Sequence, residues 1–204
     1  MFVQIMLLRS LSLMSKTFNL LLAGIGGQGI NSLAKVLAEF IMLSGYQCQF
    51  TIHKGGAQSL GSVYAEFRIS KDTLCVLGQG IPNGQLDSLI ALEPWEALRH
   101  LPLVHCNTSL WVETKAMPFF IERSNQQTIN SPQQQLNALP LTIHWKAYQA
   151  IAQQQSGTHK MANYYAGIDC ITSLSCAFTE TSPPLEMAVF DTLFFSLIKK
   201  AKRQ

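Results

Sequence analysis

The sequence contains little charge, and this argues against several classes of protein. Only 13% of the 204 residues are charged and 48% are hydrophobic, a composition too apolar for a disordered chain and typical of one well-packed domain. The formal net charge is +3. We interpret the basic cluster within residues 199–203 as a solvated helix end, so no nucleic-acid partner is expected.

The five cysteines lack the spacing of a metal site or of a disulfide framework. Their number is odd, and the sequence contains neither a C-x-x-C nor a C-x-H pair. Zinc, iron-sulfur and disulfide patterns are therefore not indicated, and we expect reduced thiols in a cytoplasmic protein that binds no metal itself. The cysteines are Cys48, Cys75, Cys106, Cys170 and Cys176.

The first 15 residues are apolar but lack the features of a signal peptide or of a membrane span. No charged residue precedes the hydrophobic run, Arg9 lies inside it, and the run is too short to cross a bilayer. We interpret residues 1–15 as an N-terminal extension outside the fold and residues 16–204 as one domain. No other segment has the length and hydrophobicity of a membrane span, so no membrane partner is expected.

The pattern of apolar residues predicts an α/β domain. Residues 18–23 are nearly all apolar and are followed at once by glycines, as expected for a strand buried on both faces of a parallel sheet. The next apolar residues recur at helical spacing, and Gly45 ends that helix. We therefore predict a single three-layer Rossmann-like domain with a mostly parallel sheet and C-terminal helices. Further strands are predicted at residues 47–52, 62–70, 86–92, 110–113 and 141–145, and helices near residues 146–154, 161–178 and 184–202.

Three of these segments carry finer expectations. Residues 47–52 are expected to form a second buried strand. Residues 62–70 alternate strictly between apolar and polar side chains, which predicts a strand with one wetter face. Residues 123–138 are rich in Gln, Asn, Ser and Pro and contain few apolar residues, so we predict an exposed loop within the domain.

A glycine turn follows the first predicted strand. Gly24, Gly26 and Gly29 have the G-x-G-x-x-G spacing of a dinucleotide-binding turn, between a strand and a helix. Such glycines allow a tight turn and the close approach of a ligand, and the N–H groups at the helix start favour an anion. The same glycines are also explained by packing alone.

The sequence gives little support to NAD as the ligand. An acidic residue that binds the ribose is expected about twenty residues beyond the glycines, at the end of the second strand. That region reads QCQFTIHKGG and contains no acid, and the chain has no Tyr-x-x-x-Lys pair. An NAD(P)-dependent dehydrogenase and a non-catalytic nucleotide-sensing module remain alternative hypotheses.

Three motifs in order carry a resemblance to a known family. The string GIGGQG, the loop HKGGAQSLGSV and the segment LEPWEALRHL resemble the G-x-G-G-Q-G turn, the H-G-M-A-Q-R-G-G-S-V loop and the E-P-x-E-A-L segment of the gamma subunits of 2-oxoacid:ferredoxin oxidoreductases. Within this family, the sequence resembles the small subunit of indolepyruvate ferredoxin oxidoreductase. The resemblance runs from about residue 17 to the end. The matching residues are Gly24, Gly26, Gly27, Gln28, Gly29, Gln58, Gly61, Ser62, Val63, Glu93, Pro94, Glu96, Ala97 and Leu98.

The resemblance implies an oxidoreductase subunit that does not act alone. Enzymes of this family decarboxylate a 2-oxoacid on thiamine diphosphate, pass electrons through iron-sulfur clusters to ferredoxin and release an acyl-CoA. It implies that a larger partner subunit holds the thiamine diphosphate, Mg and clusters. This chain would cover the active site as a gamma-type catalytic domain, with indolepyruvate or another aryl-2-oxoacid as substrate and coenzyme A at the interface.

The resemblance also implies a set of site residues, each of which has a structural interpretation beside it. His53 is the candidate catalytic acid or base, but it is also explained as a polar loop residue. Hydrogen bonds to the loop backbone would equally explain Gln58 and Ser62, and the helix dipole would explain Glu93 and Glu96. The candidate coenzyme-binding residues are Gly24, Gly26, Gly27, Gln28, Gly29, Lys54, Gln58, Gly61 and Ser62.

The loop at residues 53–62 departs from the family pattern. The family has an Arg-Gly pair after the Gln, where this chain has Ser59 and Leu60, and His53 lies one residue further from Gln58. If that Arg binds an anion, either Lys54 or Arg68 replaces it, or the activity has changed. By parallel-sheet topology, the loop is expected beside the glycine turn, where the two would form a crevice at the partner interface.

Overall fold

The structure is a computed structural model that describes residues 17–56, 61–71, 78–117, 131–178 and 186–201. The predicted N-terminal extension lies outside these ranges. Gln58, Ser59 and Leu60 also lie outside them, so the predicted role of Gln58 stays a prediction.

One six-stranded sheet forms the centre of the domain, with the strand order β2-β3-β1-β4-β5-β6. β1, β4, β5 and β6 pair in parallel, whereas β3 is antiparallel to both of its neighbours, β1 and β2. Five strands therefore share one direction, which confirms the predicted mostly parallel sheet. The strands are β1 (Thr17–Ile25), β2 (Gln47–Lys54), β3 (Ser62–Ser70), β4 (Leu86–Ala91), β5 (Val104–Glu113) and β6 (Thr142–Lys146).

Helices cover both faces of the sheet, and the three predicted C-terminal helices are present. The helices are α1 (Ile30–Leu43), α2 (Pro94–Arg99), α3 (Pro132–Asn137), α4 (Tyr148–Ser156), α5 (Ala162–Ala177) and α6 (Met187–Ala201), with short 3-10 helices at Leu101–Leu103 and His159–Met161. In the part of the chain that the structure describes, no helix is long and apolar enough to cross a bilayer.

β1 is the centre of two hydrophobic cores, one on each face of the sheet. Leu20 and Leu22 pack into the core under α1, α5 and α6. Leu21 and Ala23 point to the other face and pack into the core under α2 and α3. Because successive side chains of a strand point to opposite faces, an uninterrupted apolar run is what a two-sided strand requires. The prediction of a fully buried first strand is confirmed.

The prediction for β2 was wrong in one respect. β2 lies at the edge of the sheet and is half-buried along its length, not a buried inner strand. The reason is that β3 folds back as a hairpin and occupies the place beside β1. On β3, Ala65, Phe67 and Ile69 are fully buried on one face, and the polar residues alternate with them, as predicted.

The prediction of a loop at residues 123–138 was also wrong where the structure describes it. Residues Pro132–Asn137 form α3, which begins with a capping box between Ser131 and Gln134 and has Pro132 in its first turn. Leu136 is fully buried in the second core. The polar composition suggested a loop, but the S-P-Q-Q string also satisfies the backbone groups of a helix start.

Candidate functional site

The glycine turn lies at the carboxyl edge of the parallel strands, between β1 and α1. Gly27 and Gly29 have φ values of 96° and 78°, a left-handed backbone that disfavours other residues. A side chain on Gly29 would also collide with Asn163 of α5. Residue 29 must therefore be glycine for two independent reasons, the left-handed backbone and the lack of space beside Asn163.

Gln28 fixes the turn to the neighbouring strand. Its Oε1 accepts a hydrogen bond from the Ile25 N–H at 2.9 Å, and its Nε2 donates to the Leu92 carbonyl at 2.9 Å. A Cβ on Gly24 would lie 2.5 Å from the same Oε1, which explains that glycine as well. Both ends of the Gln28 amide are thus already bonded within the protein, so this residue shapes the turn by internal contacts.

We expect Gln28→Glu to destabilise the protein by about 1–3 kcal/mol, because a carboxylate oxygen would replace the donor that faces the Leu92 carbonyl. The free energy of unfolding in urea measures this. Gln154→Glu is the matched control, since Gln154 is exposed on α4 and its substitution should cost little. Equal losses for the two variants would show that the Gln28 bridge does not stabilise the turn.

The hairpin loop between β2 and β3 lies beside the turn, as predicted. The Gly26 N–H donates to the Gly61 carbonyl at 2.8 Å, and the Gly55 N–H donates to the Ser62 carbonyl at 2.7 Å. β2 runs parallel to β1 because two antiparallel pairings separate them, so its carboxyl end reaches the same edge. The N–H group of Gly26 is consequently used by the loop and is not free for a ligand. Lys54 is exposed at the end of β2.

A second contact joins the hairpin to α2. The Ser62 hydroxyl donates to Glu96 Oε2 at 2.5 Å, and the Arg99 guanidinium lies 3.1 Å from the same oxygen. Glu96 is buried. The three sequence motifs, which are far apart in the chain, are therefore brought together at one edge of the sheet.

The candidate catalytic residue His53 is part of an aromatic group on the α2 face of the sheet. Its ring stacks on Tyr64 at 4.5 Å between centroids, and His53 Nε2 lies 3.5 Å from Glu66 Oε2. Tyr64 also meets the ring of His100 at 4.5 Å. Burial lowers the pKa of His100 below its ordinary value. His53 is thus held by side-chain contacts within the sheet, and its ionisable neighbours are Tyr64, Glu66 and His100.

Two buried carboxylates lie at the carboxyl ends of β4 and β5: Glu93 lies just after β4, and Glu113 is the last residue of β5. Glu93 is 2% exposed, and both of its carboxylate oxygens accept from the Met117 N–H, at 3.2 and 3.3 Å. Burial raises the pKa of Glu93 to about 7, although the hydrogen bonds from Met117 and Trp95 oppose this shift. Glu113, which the sequence analysis did not select, is 1% exposed and accepts from the Gln149 N–H at 3.0 Å. It thereby fixes the start of α4.

A cleft of about 380 Å³ opens on the other side of the glycine turn, toward the junction of α4 and α5. The sequence analysis missed the residues that this junction contributes, because no local motif marks them. His159 Nδ1 lies 3.1 Å from the Gln149 carbonyl. The lining residues are Gly27, Gln28, Gly29, Leu92, Gln149, His159, Lys160 and Ala162.

The described residues do not suit a metal ion or a cluster. Within these ranges, no three His, Cys, Asp or Glu side chains are grouped closely enough to bind a metal. Burial raises the pKa of Cys48 to about 12 and also raises the pKa of Cys170, which lies in the first core. Cys106 and Cys176 are exposed. No metal-dependent step can be assigned to these side chains.

Comparison with families and curated proteins gives consistent matches. The model of the family described as pyruvate ferredoxin/flavodoxin oxidoreductase matches residues 19–166. The indolepyruvate oxidoreductase subunit IorB of Thermococcus kodakarensis is 31% identical over 103 residues, and that of Methanothermobacter thermautotrophicus is 34% identical over 103 residues. Each match covers 50% of this chain and 50% of the relative, so the chain spans about half the length of these curated relatives.

Solved structures share the fold at low sequence identity. A pyruvate oxidoreductase subunit from Thermotoga maritima has a TM-score of 0.55 at 17% identity, covering 89% of this chain and 93% of its own. The gamma subunit of a keto/oxoacid ferredoxin oxidoreductase from Geobacter sulfurreducens has a TM-score of 0.53 at 18% identity, covering 92% and 99%. The 2-oxoglutarate:ferredoxin oxidoreductase from Magnetococcus marinus, with 2-oxoglutarate, coenzyme A and succinyl-CoA bound, has a TM-score of 0.56 at 15% identity, covering 93% of this chain and 32% of that chain.

Proposed function

Because the chain belongs to the pyruvate ferredoxin/flavodoxin oxidoreductase family, we propose that it is a subunit of a cytoplasmic 2-oxoacid:ferredoxin oxidoreductase. In this role it assists the oxidative decarboxylation of a 2-oxoacid to an acyl-CoA. The observation that carries the proposal is the family match over residues 19–166, a range that contains all three motifs. The contacts that join those motifs at one edge of the sheet support it.

The substrate class in this proposal is an aryl-2-oxoacid, with indolepyruvate as the first compound to test. The support comes from the curated relatives, which are indolepyruvate oxidoreductase subunits at 31–34% identity. Among the described residues that line the cleft, none is Phe, Tyr or Trp, so we place recognition of the aryl group on the partner subunit.

We assign the redox groups to a larger partner subunit. Thiamine diphosphate with Mg supplies the decarboxylation chemistry when bound, and iron-sulfur clusters carry the electrons to ferredoxin. Among the described residues, no three His, Cys, Asp or Glu side chains are grouped closely enough to bind a metal ion or a cluster. This chain would contribute one surface of the active site, here called the wall, which is formed by the glycine turn, the hairpin loop and the start of α2.

We propose that coenzyme A binds at this wall. The candidate residues are those predicted from the sequence, from Gly24 to Ser62, and an exposed cation at Lys54 supports an anionic ligand there. The side chains of Gln28 and Ser62 already bond to Leu92 and Glu96 within the protein. These side chains would shape the site, while backbone groups and lysines would contact the coenzyme.

The topology disfavours the alternative of an NAD(P)-dependent dehydrogenase. In dinucleotide-binding folds, the strand that carries the ribose-binding acid follows the helix after the glycine turn and lies beside the first strand. Here β3 occupies that position and β2 is displaced to the edge. β2 also ends in His53 and Lys54, not in an acid.

Reconstitution of the complex tests the proposal. Co-expression with a thiamine-diphosphate and iron-sulfur subunit from the same genome should give a complex that reduces ferredoxin only when indolepyruvate and coenzyme A are both present. The isolated chain should be colourless and should bind NADH weakly at most. A partner subunit that is fully active without this chain, or saturable micromolar binding of NADH to it, would contradict the proposal.

A further inference from the structure

A row of three aromatic rings joins the hairpin to α2. The ring of His53 on β2 stacks on Tyr64 of β3 with 13° between the planes, and Tyr64 meets the ring of His100 at 62°. His100 is the C-cap residue of α2, so the row links three elements. It lies two residues along β3 from Ser62, whose hydroxyl makes the other contact between the hairpin and α2.

The surroundings of His100 favour its neutral form. The residue is 8% exposed, and its Nε2 atom is buried with no hydrogen-bond partner among the described residues. A protonated imidazole donates from both ring nitrogens, and a buried charged donor without an acceptor is costly. In agreement with this geometry, burial lowers the pKa of His100 below its ordinary value of 6.5. A proton on His100 is therefore poorly accommodated while the ring stays packed against Tyr64.

The charged groups of α2 offset such a proton only in part. Glu96 favours the protonated form of His100, whereas Arg99 disfavours it. The carboxylate of Glu96 is already engaged, because it accepts from the Ser62 hydroxyl and from Arg99 Nε, which lies 3.1 and 3.2 Å from its two oxygens. The one acid that faces His100 from α2 thus already has two donors of its own.

The sheet supplies no further compensation. His53 disfavours a proton on His100, since two positive rings would face each other across Tyr64. Glu66 Oε2 lies 3.5 Å from His53 Nε2, so its charge would offset a proton on His53 first. Partial burial and the charge of Glu66 raise the pKa of Tyr64 above its ordinary value of 10.0, and the Tyr64 ring is therefore neutral between pH 5 and pH 8.

We infer that His100 is a positioning residue that holds the hairpin against α2 while its ring is neutral, and that protonation of this ring releases the hairpin loop. The protonated ring must turn toward water to satisfy Nε2, which breaks its contact with Tyr64 and leaves only the bond from Ser62 to Glu96. The loop is part of the wall, so the consequence for the enzyme rests on the proposed function. Acid would open the wall without acting on a reacting group.

Amide hydrogen exchange of the purified full chain, followed by NMR, tests this inference. The Gly26 and Gly55 N–H groups bond to Gly61 and Ser62 and report on the loop. After correction for the intrinsic pH dependence of exchange, their protection should fall about tenfold from pH 7 to pH 5, because opening takes up a proton. The Leu21 amide of the central strand should exchange more slowly at both pH values, which shows that the opening is local. Unchanged protection of both glycines, or exchange of Leu21 at the same rate, overturns the inference.

Histidine variants identify the group that titrates. His100→Phe keeps an aromatic ring against Tyr64 but cannot ionise, so loop protection should change less than about twofold between pH 7 and pH 5. His100→Gln is a second variant that cannot ionise and should behave in the same way. His144→Gln is the matched control, because His144 also stacks on an aromatic ring, that of Trp111, but is exposed, and it should keep the tenfold change.

A pH dependence that persists in both His100 variants, or that disappears in His144→Gln, would overturn the inference. These measurements use the chain alone and are independent of the reconstitution experiment. A reconstituted complex that lacks oxidoreductase activity, formed by a chain with the expected exchange behaviour, would contradict the proposed function and leave the role of His100 standing.

Discussion

Replacement of Gly29 by alanine is expected to lower the free energy of unfolding by about 2–4 kcal/mol, the sum of a left-handed backbone penalty and a steric clash. Gly29 has a φ of 78°, and an added Cβ would press into the Asn163 side chain. Because the turn would shift to relieve this clash, assembly or turnover of the complex should fall as well. Urea unfolding of the isolated chain measures the stability, and the ferredoxin assay measures the activity.

Gly157 is the matched control for this prediction. Its φ of 69° is similar, but a Cβ there would meet nothing within 4 Å. Gly157→Ala should therefore show the backbone penalty alone, about 1–2 kcal/mol. Adding Asn163→Ala to Gly29→Ala should recover part of the difference. If Gly29→Ala is no worse than Gly157→Ala, the contact between α5 and the turn does not constrain the turn.

A change of Glu93 to glutamine is expected to alter how stability depends on pH. Burial raises the pKa of Glu93 from its ordinary value of 4.5 to about 7, so between these values the folded protein binds more protons than the unfolded chain. Stability is then greatest below pH 4.5 and falls as the pH rises to about 7. The ionisation of Glu93 alone should lower the free energy of unfolding of the wild type by about 2–3 kcal/mol between pH 5 and pH 8.

Glutamine cannot ionise, but its oxygen can still accept the Met117 N–H. Glu93→Gln should therefore be more stable than the wild type at pH 8, with a flatter profile between pH 5 and pH 8. Glu39→Gln, exposed on α1, is the control and should leave the profile unchanged. Urea midpoints across this range provide the measurement. A wild-type profile that runs parallel to that of Glu93→Gln would show that Glu93 ionises normally in the folded state.

The elements that could be predicted from the sequence are those whose signal is local. The apolar run at residues 18–23 predicted a strand buried on both faces, and the alternation at residues 62–70 predicted β3. Both patterns are local, because the burial of each face of a strand determines which of its successive residues are apolar. The position of β3 between β1 and β2 could not be predicted in this way. Strand pairing depends on a hairpin and on contacts far apart in the chain, which a pattern within one strand does not record.

Some residues of the candidate site could likewise be predicted from the sequence, and others could not. The glycine turn could be found because its backbone geometry demands glycine at fixed spacing, whereas the hairpin loop was indicated by the family resemblance. Glu113 and Lys160 could not be found, since Glu113 acts through a bond to the start of α4 and Lys160 reaches the cleft from the 3-10 helix between α4 and α5. The role of Gln28 was likewise hidden, because its partner Leu92 lies at the end of another strand.

The bond between Gly26 and Gly61 joins two main-chain atoms, and this affects how the loop can evolve. A hydrogen bond between two backbone groups does not use side-chain atoms, so it can persist when the side chains of the loop are substituted. The loop can therefore drift, as at Ser59 and Leu60, where the family has Arg-Gly, without losing its attachment to the turn.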